Sequence, residues 1–565
     1  MNNLGGILMK RLIYFFIVVS MGIGLCSFPV VASSELSEPA PWAKEAVKYL
    51  NNYQLIPDEL FYDYNTPIRR DEFAATLMDI YNEACQNYYT FPNEPDKFTD
   101  TVSNKYSTVI KKANIMGIIN GTSETTFSPD RNITREDIAT LIYRFIKLMY
   151  PQENSISNKT IADRNQIADY ALSSVEFCMN NGIMNGTGND MFSPKGLLTR
   201  QEAMVLMYNI CNRYKVVENG RGSAIKELTP CYRGLHEMVY DGYLYIREYG
   251  YPFSFNGSIV LNKGHTLIRT PIDQSEKNQG ELLFTHADDI SVYTVNQEKI
   301  FFGDRNLNRG IYSTDKDGKN RKLLYTLSGY LVSDFSFMHV EGDWLFVDMG
   351  GMLFKMRTDG TCLSIIYKED YARTFFAEGE NFYISRTPHP AANEGVGEIL
   401  FSRVSLTGDR TELIYRQEID VRGYSLALYG NKLYIALSER DGSIGPPSPI
   451  PGTQDISPEM PLIEVNLDTK KVTPIGGLSV GESLVKDALG AYIFSINQNT
   501  LSWKNISGGN DISVTIAQGV KGNYATKYDN CLYFSVVADS SYTRHYYLYN
   551  INTGYYTDIY GNPVN

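Results

Sequence analysis

Ile133-Thr134-Arg135-Glu136-Asp137 decides the reading of the first half of this chain, because it recurs as Leu198-Thr199-Arg200-Gln201-Glu202 and, altered, as Ile68-Arg69-Arg70-Asp71-Glu72. Arg70, Arg135 and Arg200 are spaced 65 residues apart, and so are Glu72, Asp137 and Glu202. A fixed period marks repeated units that bury their apolar faces against one another. Thr134 with Asp137, and Thr199 with Glu202, have the Thr-x-x-acid spacing of a capping box, in which hydroxyl and carboxylate satisfy backbone amides at a helix start. Glu72 holds the same position in the first copy. Ile138, Leu141, Ile142 and Phe145 then fall on one helical face, as do Ala203, Leu206, Met207 and Ile210.

A second helical segment precedes each signature, over Trp42–Tyr53, Lys105–Met116 and Tyr170–Asn181. The last two run into Gly117 and Gly182, where a helix C-terminus favours glycine. Asn120-Gly121-Thr122 and Asn185-Gly186-Thr187 follow, then Phe127-Ser128-Pro129 and Phe192-Ser193-Pro194. In this order of features, residues 40 to 212 resemble three tandem S-layer homology (SLH) modules. The resemblance implies binding to the secondary cell wall polysaccharide of bacteria, often a pyruvylated glycan, and so retention on the peptidoglycan. It also implies grooves between repeats built from an arginine, an aromatic residue and the glycine-containing turn, which assigns polysaccharide contact to Trp42, Arg70, Arg135, Arg200, Gly121 and Gly186. An arginine in the first helical turn fits that role, because a helix N-terminus favours anions and a guanidinium grips a carboxylate bidentately. Plainer readings compete: capping accounts for Glu72, Thr134, Asp137, Thr199 and Glu202, internal ion pairs would occupy the arginines, and Trp42 would sit in the core. The repeats also differ. Lys105 and Tyr170 stand at the tryptophan position, Arg69 replaces the capping threonine, and Gln54 replaces the turn glycine, so unequal grooves are expected.

The full chain of 565 residues is too long for a single core. Its 43% hydrophobic and 21% charged residues describe an ordinary folded protein, and a formal charge of -12 disfavours a nucleic-acid partner. Lys10 and Arg11, the apolar run Leu12–Leu25 and Val30-Val31-Ala32 read as a secretory signal over residues 1–32. No later stretch has the length of a membrane span. Cys85, Cys178, Cys211, Cys231, Cys362 and Cys531 are scattered, without metal-site spacing. They are expected as mainly buried thiols, with room for one disulfide in an oxidising exterior. The six histidines form no metal motif, and no cofactor is expected.

After Asn219-Gly220-Arg221-Gly222-Ser223 the period changes from helical to alternating. A strand signature recurs at Tyr243–Ile246, Lys299–Phe302, Trp344–Phe346, Phe382–Ile384, Leu433–Ile435, Tyr492–Phe494 and Leu532–Phe534, with Asp-Gly turns at Asp317-Gly318 and Asp359-Gly360. Seven copies about 48 residues apart suit the four-stranded blades of a propeller. The expected fold is therefore an all-α, trimer-like bundle of three helical repeats followed by an all-β seven-bladed propeller. Its parts are a signal at 1–32, repeats at 40–85, 98–150 and 160–212, a linker at 213–230 and a propeller at 231–565.

Long connections place Tyr249, Tyr251, Phe253, Phe255 and His389 on one propeller rim, as a candidate surface for a glycan or protein ligand. Gly477-Leu478-Ser479-Val480-Gly481 has the letters of a nucleophile elbow, but an elbow needs a strand-turn-helix, and a blade connection is expected here. No catalytic residue is assigned. The reading is a secreted, wall-anchored protein that displays a propeller; a wall-tethered enzyme acting on polysaccharide or peptide, and a structural S-layer component, are the alternatives.

Overall fold

The computed structural model describes residues 38–558 apart from 152, 155–157, 218–227, 233–236, 250–252, 256–257, 261–264, 272–279, 287–289, 305–309, 327–334, 388–397, 419–420, 440–459, 480–481, 487–490, 498–499, 516–520, 529–530, 539–542 and 551–555. The expected signal at 1–32, Tyr251 and His389 lie outside the described residues, as do the side chains of Tyr249, Phe253 and Phe255.

Six α-helices form among the described residues: α1 (Lys44–Tyr53), α2 (Arg70–Cys85), α3 (Ser107–Ile115), α4 (Arg135–Met149), α5 (Leu172–Asn180) and α6 (Arg200–Arg213). Each repeat contributes a short helix and a longer capped one, but the partners within a helix pair come from different repeats. α2 packs on α3, α4 on α5, and α6 returns to α1, so the last repeat closes on the first. The expected all-α, trimer-like bundle is corrected on this point: what forms is six helices exchanged cyclically and stitched by β-bridges at Pro67–Thr199, Arg69–Asn132 and Thr134–Leu197. The physical reason is that the residue pairs ahead of each capped helix are extended, and extended backbone in a buried place must find partners.

Those partners follow a strict rule. The first two amides of each capped helix donate to carbonyls in the loop of the next repeat. Arg70 and Asp71 bond Arg131 and Pro129, Arg135 and Glu136 bond Gly196 and Pro194, and Arg200 and Gln201 bond Thr66 and Tyr64. The third amide is taken by the cap where a threonine is present: Asp137 N–H to Thr134 Oγ1 and Glu202 N–H to Thr199 Oγ1, both 3.4 Å. In the third repeat Glu202 also accepts from Thr199 N–H at 2.7 Å, completing the box. In the first repeat the threonine is missing, and Glu72 still accepts from Arg69 N–H at 3.0 Å.

Among the described residues of the β half, six sheets repeat an up-and-down meander of four antiparallel strands. They run from Glu237–Tyr240 to Glu281–His286, Ile290–Val295 to Lys322–Thr326, Phe335–Glu341 to Ser364–Lys368, Ala372–Gly379 to Thr411–Glu418, Val421–Tyr429 to Val472–Leu478, and Ser483–Lys486 to Ile512–Thr515. The seventh sheet is of mixed origin. The outer edge of its strand Thr543–Asn550 is divided between Tyr556–Asp558 and a hairpin, Phe253–Phe255 with Ser258–Val260, borrowed from inside the first sheet. The expectation of seven like blades is therefore corrected to a six-bladed, propeller-like arrangement with one composite sheet. Leu228–Tyr232 adds a further strand to the fourth sheet by pairing with Ala372–Gly379.

The two halves share one core. Phe337, Trp344, Phe346, Cys362, Phe382 and Ile384 of the third and fourth sheets join the same buried cluster as the helices. Residues 85–94, leaving α2, strap the helices to these sheets. Tyr88 N–H donates to Thr407 O at 2.9 Å, Asn87 Nδ2 to Ile365 O at 2.8 Å and Tyr89 Oη to Lys368 O at 3.2 Å, and Lys368 pairs with Glu94 at 2.6 Å. Among the described residues, no helix is long and apolar enough to cross a membrane.

Candidate functional site: three unequal grooves

The signature arginines reach across repeat boundaries. Arg70 Nε donates to Phe127 O at 3.1 Å and its Nη2 to Asn120 O at 3.2 Å, with the guanidinium 4.8 Å from the Phe127 ring centroid. Arg135 repeats this one unit on: Nε to Phe192 O at 2.8 Å, Nη2 to Asn185 O at 2.7 Å, and 4.8 Å to the Phe192 centroid. In both cases the Asn-Gly turn and the Phe-Ser-Pro loop of the next repeat supply the acceptors. The first repeat has neither motif, so Arg200 instead donates to Tyr62 O at 3.1 Å and pairs with Glu72.

The turns themselves are braced by two residues that sequence reasoning passed over. Asp100 accepts from Phe127 N–H and Ser128 N–H at 2.9 and 2.7 Å, and Asp163 from Phe192 N–H and Ser193 N–H, both at 2.7 Å. Ser128 and Ser193 adopt left-handed backbones, φ 60 and φ 57, and their hydroxyls meet Thr122 and Thr187. Gly121 and Gly186 are demanded by packing inside these turns. A Cβ would come within 2.3 Å of Ser123 O at Gly121 and 2.7 Å of Met191 O at Gly186.

With the first-turn amides all bonded to protein, an anion would be met by whichever guanidinium groups remain unneutralised. By that criterion the three grooves differ. Arg70 is 5% exposed and lies 3.8 Å from Asp137, which also pairs with Arg131 at 2.7 Å and accepts from Tyr170 Oη at 2.7 Å. Its neighbour Glu136 takes Lys195, Ala168 N–H and the Tyr170 hydroxyl. Arg200 is paired with Glu72, and Lys105, at the tryptophan position, is paired with Glu59. Arg135 alone of the three signature arginines has no carboxylate in an ion pair among the described residues. Burial lowers its proton affinity, and Glu202 and Asp163 oppose that from a distance.

Trp42 belongs to the first repeat. It is 58% exposed, just ahead of α1, where Ala40 N–H is held by Gln201 at the start of α6. Ala40, two residues before Trp42, thus bonds Gln201, and the Glu202 carboxylate acts electrostatically on Arg135, so both lead to the first turn of α6. The residues that the resemblance assigns thus come from all three repeats, Trp42 from the first, Arg135 from the second and Gly186 from the third. Tyr170, at the equivalent place in the Arg70 groove, is 59% exposed, but its hydroxyl is committed to the two acids.

Ser479 is exposed, and its N–H donates to Glu482 at 2.8 Å. It joins Val472–Leu478 to Ser483–Lys486, strands of successive sheets, and among the described residues the next element is that strand and not a helix. A nucleophile elbow is thereby excluded. Among the described residues, no cluster of histidine, cysteine and acidic side chains could hold a metal.

This arrangement of paired helices and arginine-clamped turns defines a repeat module whose arginines bridge its unit boundaries. Residues 97–139 and 160–204 match the S-layer homology domain family, so the chain carries SLH modules followed by a propeller-like domain. The amylopullulanase of Thermoanaerobacterium thermosulfurigenes is 29% identical over 177 residues, 30% of this chain and 9% of that protein. The exoglucanase XynX of Acetivibrio thermocellus is 27% identical over 177 residues, 30% of this chain and 16% of the relative. The cellulosome-anchoring protein of Acetivibrio thermocellus is 27% identical over 227 residues, 38% of this chain and 46% of the relative. This chain therefore spans less than half the length of each. Among solved structures it is similar to one from a study of two prolyl endopeptidases (TM-score 0.39, 9% identity, 59% of this chain and 49% of that one). It is also similar to the β-propeller domain of the Trilobed protease from Pyrococcus furiosus (TM-score 0.37, 10% identity, 58% and 96%). At these scores neither likeness carries an argument.

Proposed function

We propose that this is a cell-surface protein whose helical half holds it non-covalently on the bacterial wall by gripping the secondary cell wall polysaccharide, and whose propeller is the part displayed. The single observation that carries this reading is the Arg135 groove. There a guanidinium is fixed by two carbonyls and a phenyl ring and has no ion-paired carboxylate among the described residues, while Trp42, the aromatic that the resemblance assigns to a groove, is exposed. Two of its five donors fix its position, which leaves the rest for an anionic group such as the carboxylate of a pyruvate ketal. The indole face is suited to the apolar side of a pyranose. The cell-surface setting agrees with the SLH match and with relatives that include a cellulosome-anchoring protein.

The Arg70 and Arg200 grooves serve a different purpose in this reading. Their charge is already balanced, and a ligand would have to break ion pairs to enter. They hold the repeats together, and the first and third repeats supply the frame around the central grip. The test is sedimentation of the full chain with purified cell walls before and after chemical removal of the secondary polysaccharide; binding that survives removal rejects the assignment. The aromatic rim at Tyr249, Tyr251, Phe253, Phe255 and His389 remains a proposed surface for a glycan or protein ligand. A glycan array probed with the full chain and with Arg135→Ala separates its binding from that of the wall groove.

A further inference from the structure

Two cysteines from opposite halves of the molecule meet where those halves join. Cys85 ends α2, and Cys362 follows the Asp359-Gly360-Thr361 turn of the third sheet. Both are wholly buried. Cys85 Sγ lies 3.6 Å from Cys362 O and 3.4 Å from Met149 Sδ, and Cys362 N–H donates to Met149 O at 2.6 Å. Cys362 has φ 56, a left-handed conformation in which glycine, asparagine and aspartate are at ease and other residues are strained. A cysteine kept there, with the thiol of another cysteine 277 positions away against its carbonyl, calls for an explanation beyond packing.

From this juxtaposition we infer that Cys85 and Cys362 form a redox latch: a thiol pair that closes to a disulfide and locks the wall-binding half to the propeller. The chemistry is thiol–disulfide exchange with an external disulfide R–S–S–R, either a small molecule or a disulfide carrier protein. The Cys362 thiolate attacks one sulfur of R–S–S–R; a new S–S bond forms, the old one breaks, and R–S⁻ leaves and takes up a proton. The Cys85 thiolate then attacks the Cys362 sulfur of this mixed disulfide, and the second R–S⁻ leaves and is protonated in turn. Two protein thiols are oxidised and one external disulfide is reduced to two R–SH. Burial requires that the exchange occur before the halves dock or during their transient separation.

Arg357 and Thr361, which stay beside Cys362 on its own sheet when the halves are apart, favour it as the attacking sulfur. The Cys85 thiol, the Arg357 side chain and the Thr361 side chain stabilise its thiolate, which pushes its proton affinity down against the effect of burial; burial pushes Cys85 up. Cys178, by contrast, is buried in the helical core with its thiol on Ala139 O. It gives an internal control.

The experiment refolds the full chain in oxidised and reduced glutathione, traps free thiols by alkylation under denaturing conditions, and maps peptides without reduction. The expected result is a linked peptide pair carrying Cys85 and Cys362, lighter than the two thiol peptides by two hydrogens, with Cys178 alkylated. The oxidised protein should melt higher than the reduced one by about 5 °C or more. Cys85→Ser should stop at the mixed disulfide, leaving glutathione on Cys362. If that variant does not fold, comparison of oxidised and reduced wild type alone decides. Full alkylation of both cysteines after oxidative refolding, or linkage only between other cysteines, overturns the latch.

Discussion

Replacing Asp163 by alanine tests whether the Phe-Ser-Pro turn is the element that presents Arg135. The Asp163 carboxylate is buried, and each oxygen accepts one backbone amide, from Phe192 and Ser193, at 2.7 Å. Removing it leaves two donors without a partner where water has poor access. A buried donor so orphaned costs about 1–3 kcal/mol, and two adjacent ones share part of that relaxation, so the loss should be about 3 kcal/mol. At about 2–4 °C per kcal/mol for a unit of this size, the helical half should melt roughly 6–12 °C lower. Asp163→Asn keeps one acceptor and should lose about half as much. The assay is thermal unfolding of the full chain together with hydrogen exchange at the Phe192 and Ser193 amides, which should be protected in wild type and open in the variant. Because Arg135 rests on Phe192 O, wall binding should weaken in parallel. A stability loss below about 0.5 kcal/mol with unchanged exchange would refute the bracing argument.

Other perturbations probe separate parts of the account. Burial pushes the Lys112 ammonium down to about 7 and Lys355 down to about 8, from an ordinary value of 10.5. The unfolded chain then binds more protons than the folded one above pH 7, so stability should rise with pH from about 7 toward 9, where the Cys85 and Cys178 thiols, pushed up by burial, begin to cancel the lysines. Above that, buried tyrosines such as Tyr89, pushed up to about 12, reverse the slope; urea midpoints across this range check the sign, and Lys112→Met should flatten the lower part. Gly121→Ala should cost about 2–3 kcal/mol because its Cβ collides with backbone oxygens at 2.3 and 2.6 Å. Gly117→Ala, with nothing nearby but φ +73, should cost about 1 kcal/mol, and the reverse order in denaturant melts would contradict the packing explanation. Trp42→Ala should leave stability within about 0.5 kcal/mol yet weaken wall binding roughly tenfold in sedimentation; equal binding would remove the indole from the site.

How much of this was legible in the sequence depends on the range of each interaction. The Thr199 and Glu202 cap was readable because its partners are three residues apart. The clamp on Arg135 was not, since its acceptors lie 50 and 57 residues further on and belong to the next repeat. Only a repeat-to-repeat alignment of acceptors could have found it. Asp100 and Asp163 did leave a signal, standing at corresponding places ahead of two Phe-Ser-Pro loops, but an isolated aspartate in a polar loop looks like turn chemistry. Gly121 was visible as a turn residue, while the reason for it, contact with Ser123 O, required coordinates.

In the β half, alternation around Trp344–Phe346 announced strands correctly as strands. It could not announce which edge each would join. The borrowed hairpin at Phe253 and the added strand Leu228–Tyr232 pair over long range through backbone groups that any sequence carries. Counting strand signatures counted blades as equal, and the composite seventh sheet is where that failed. The shared core between helices and sheets was also hidden, because an apolar residue such as Phe337 reads the same whether it faces a blade or a helix.

The central claim is that Arg135, and not the other two signature arginines, grips the wall glycan. The most direct measurement is the affinity of the full chain for purified walls, compared among wild type, Arg135→Ala and Arg200→Ala after thermal unfolding confirms that each variant is folded. The account predicts a loss of at least about tenfold for Arg135→Ala, about 1.4 kcal/mol. It predicts a much smaller loss for Arg200→Ala, and no binding by wild type once the secondary polysaccharide is removed. Wild-type affinity in Arg135→Ala, or undiminished binding to stripped walls, would contradict it.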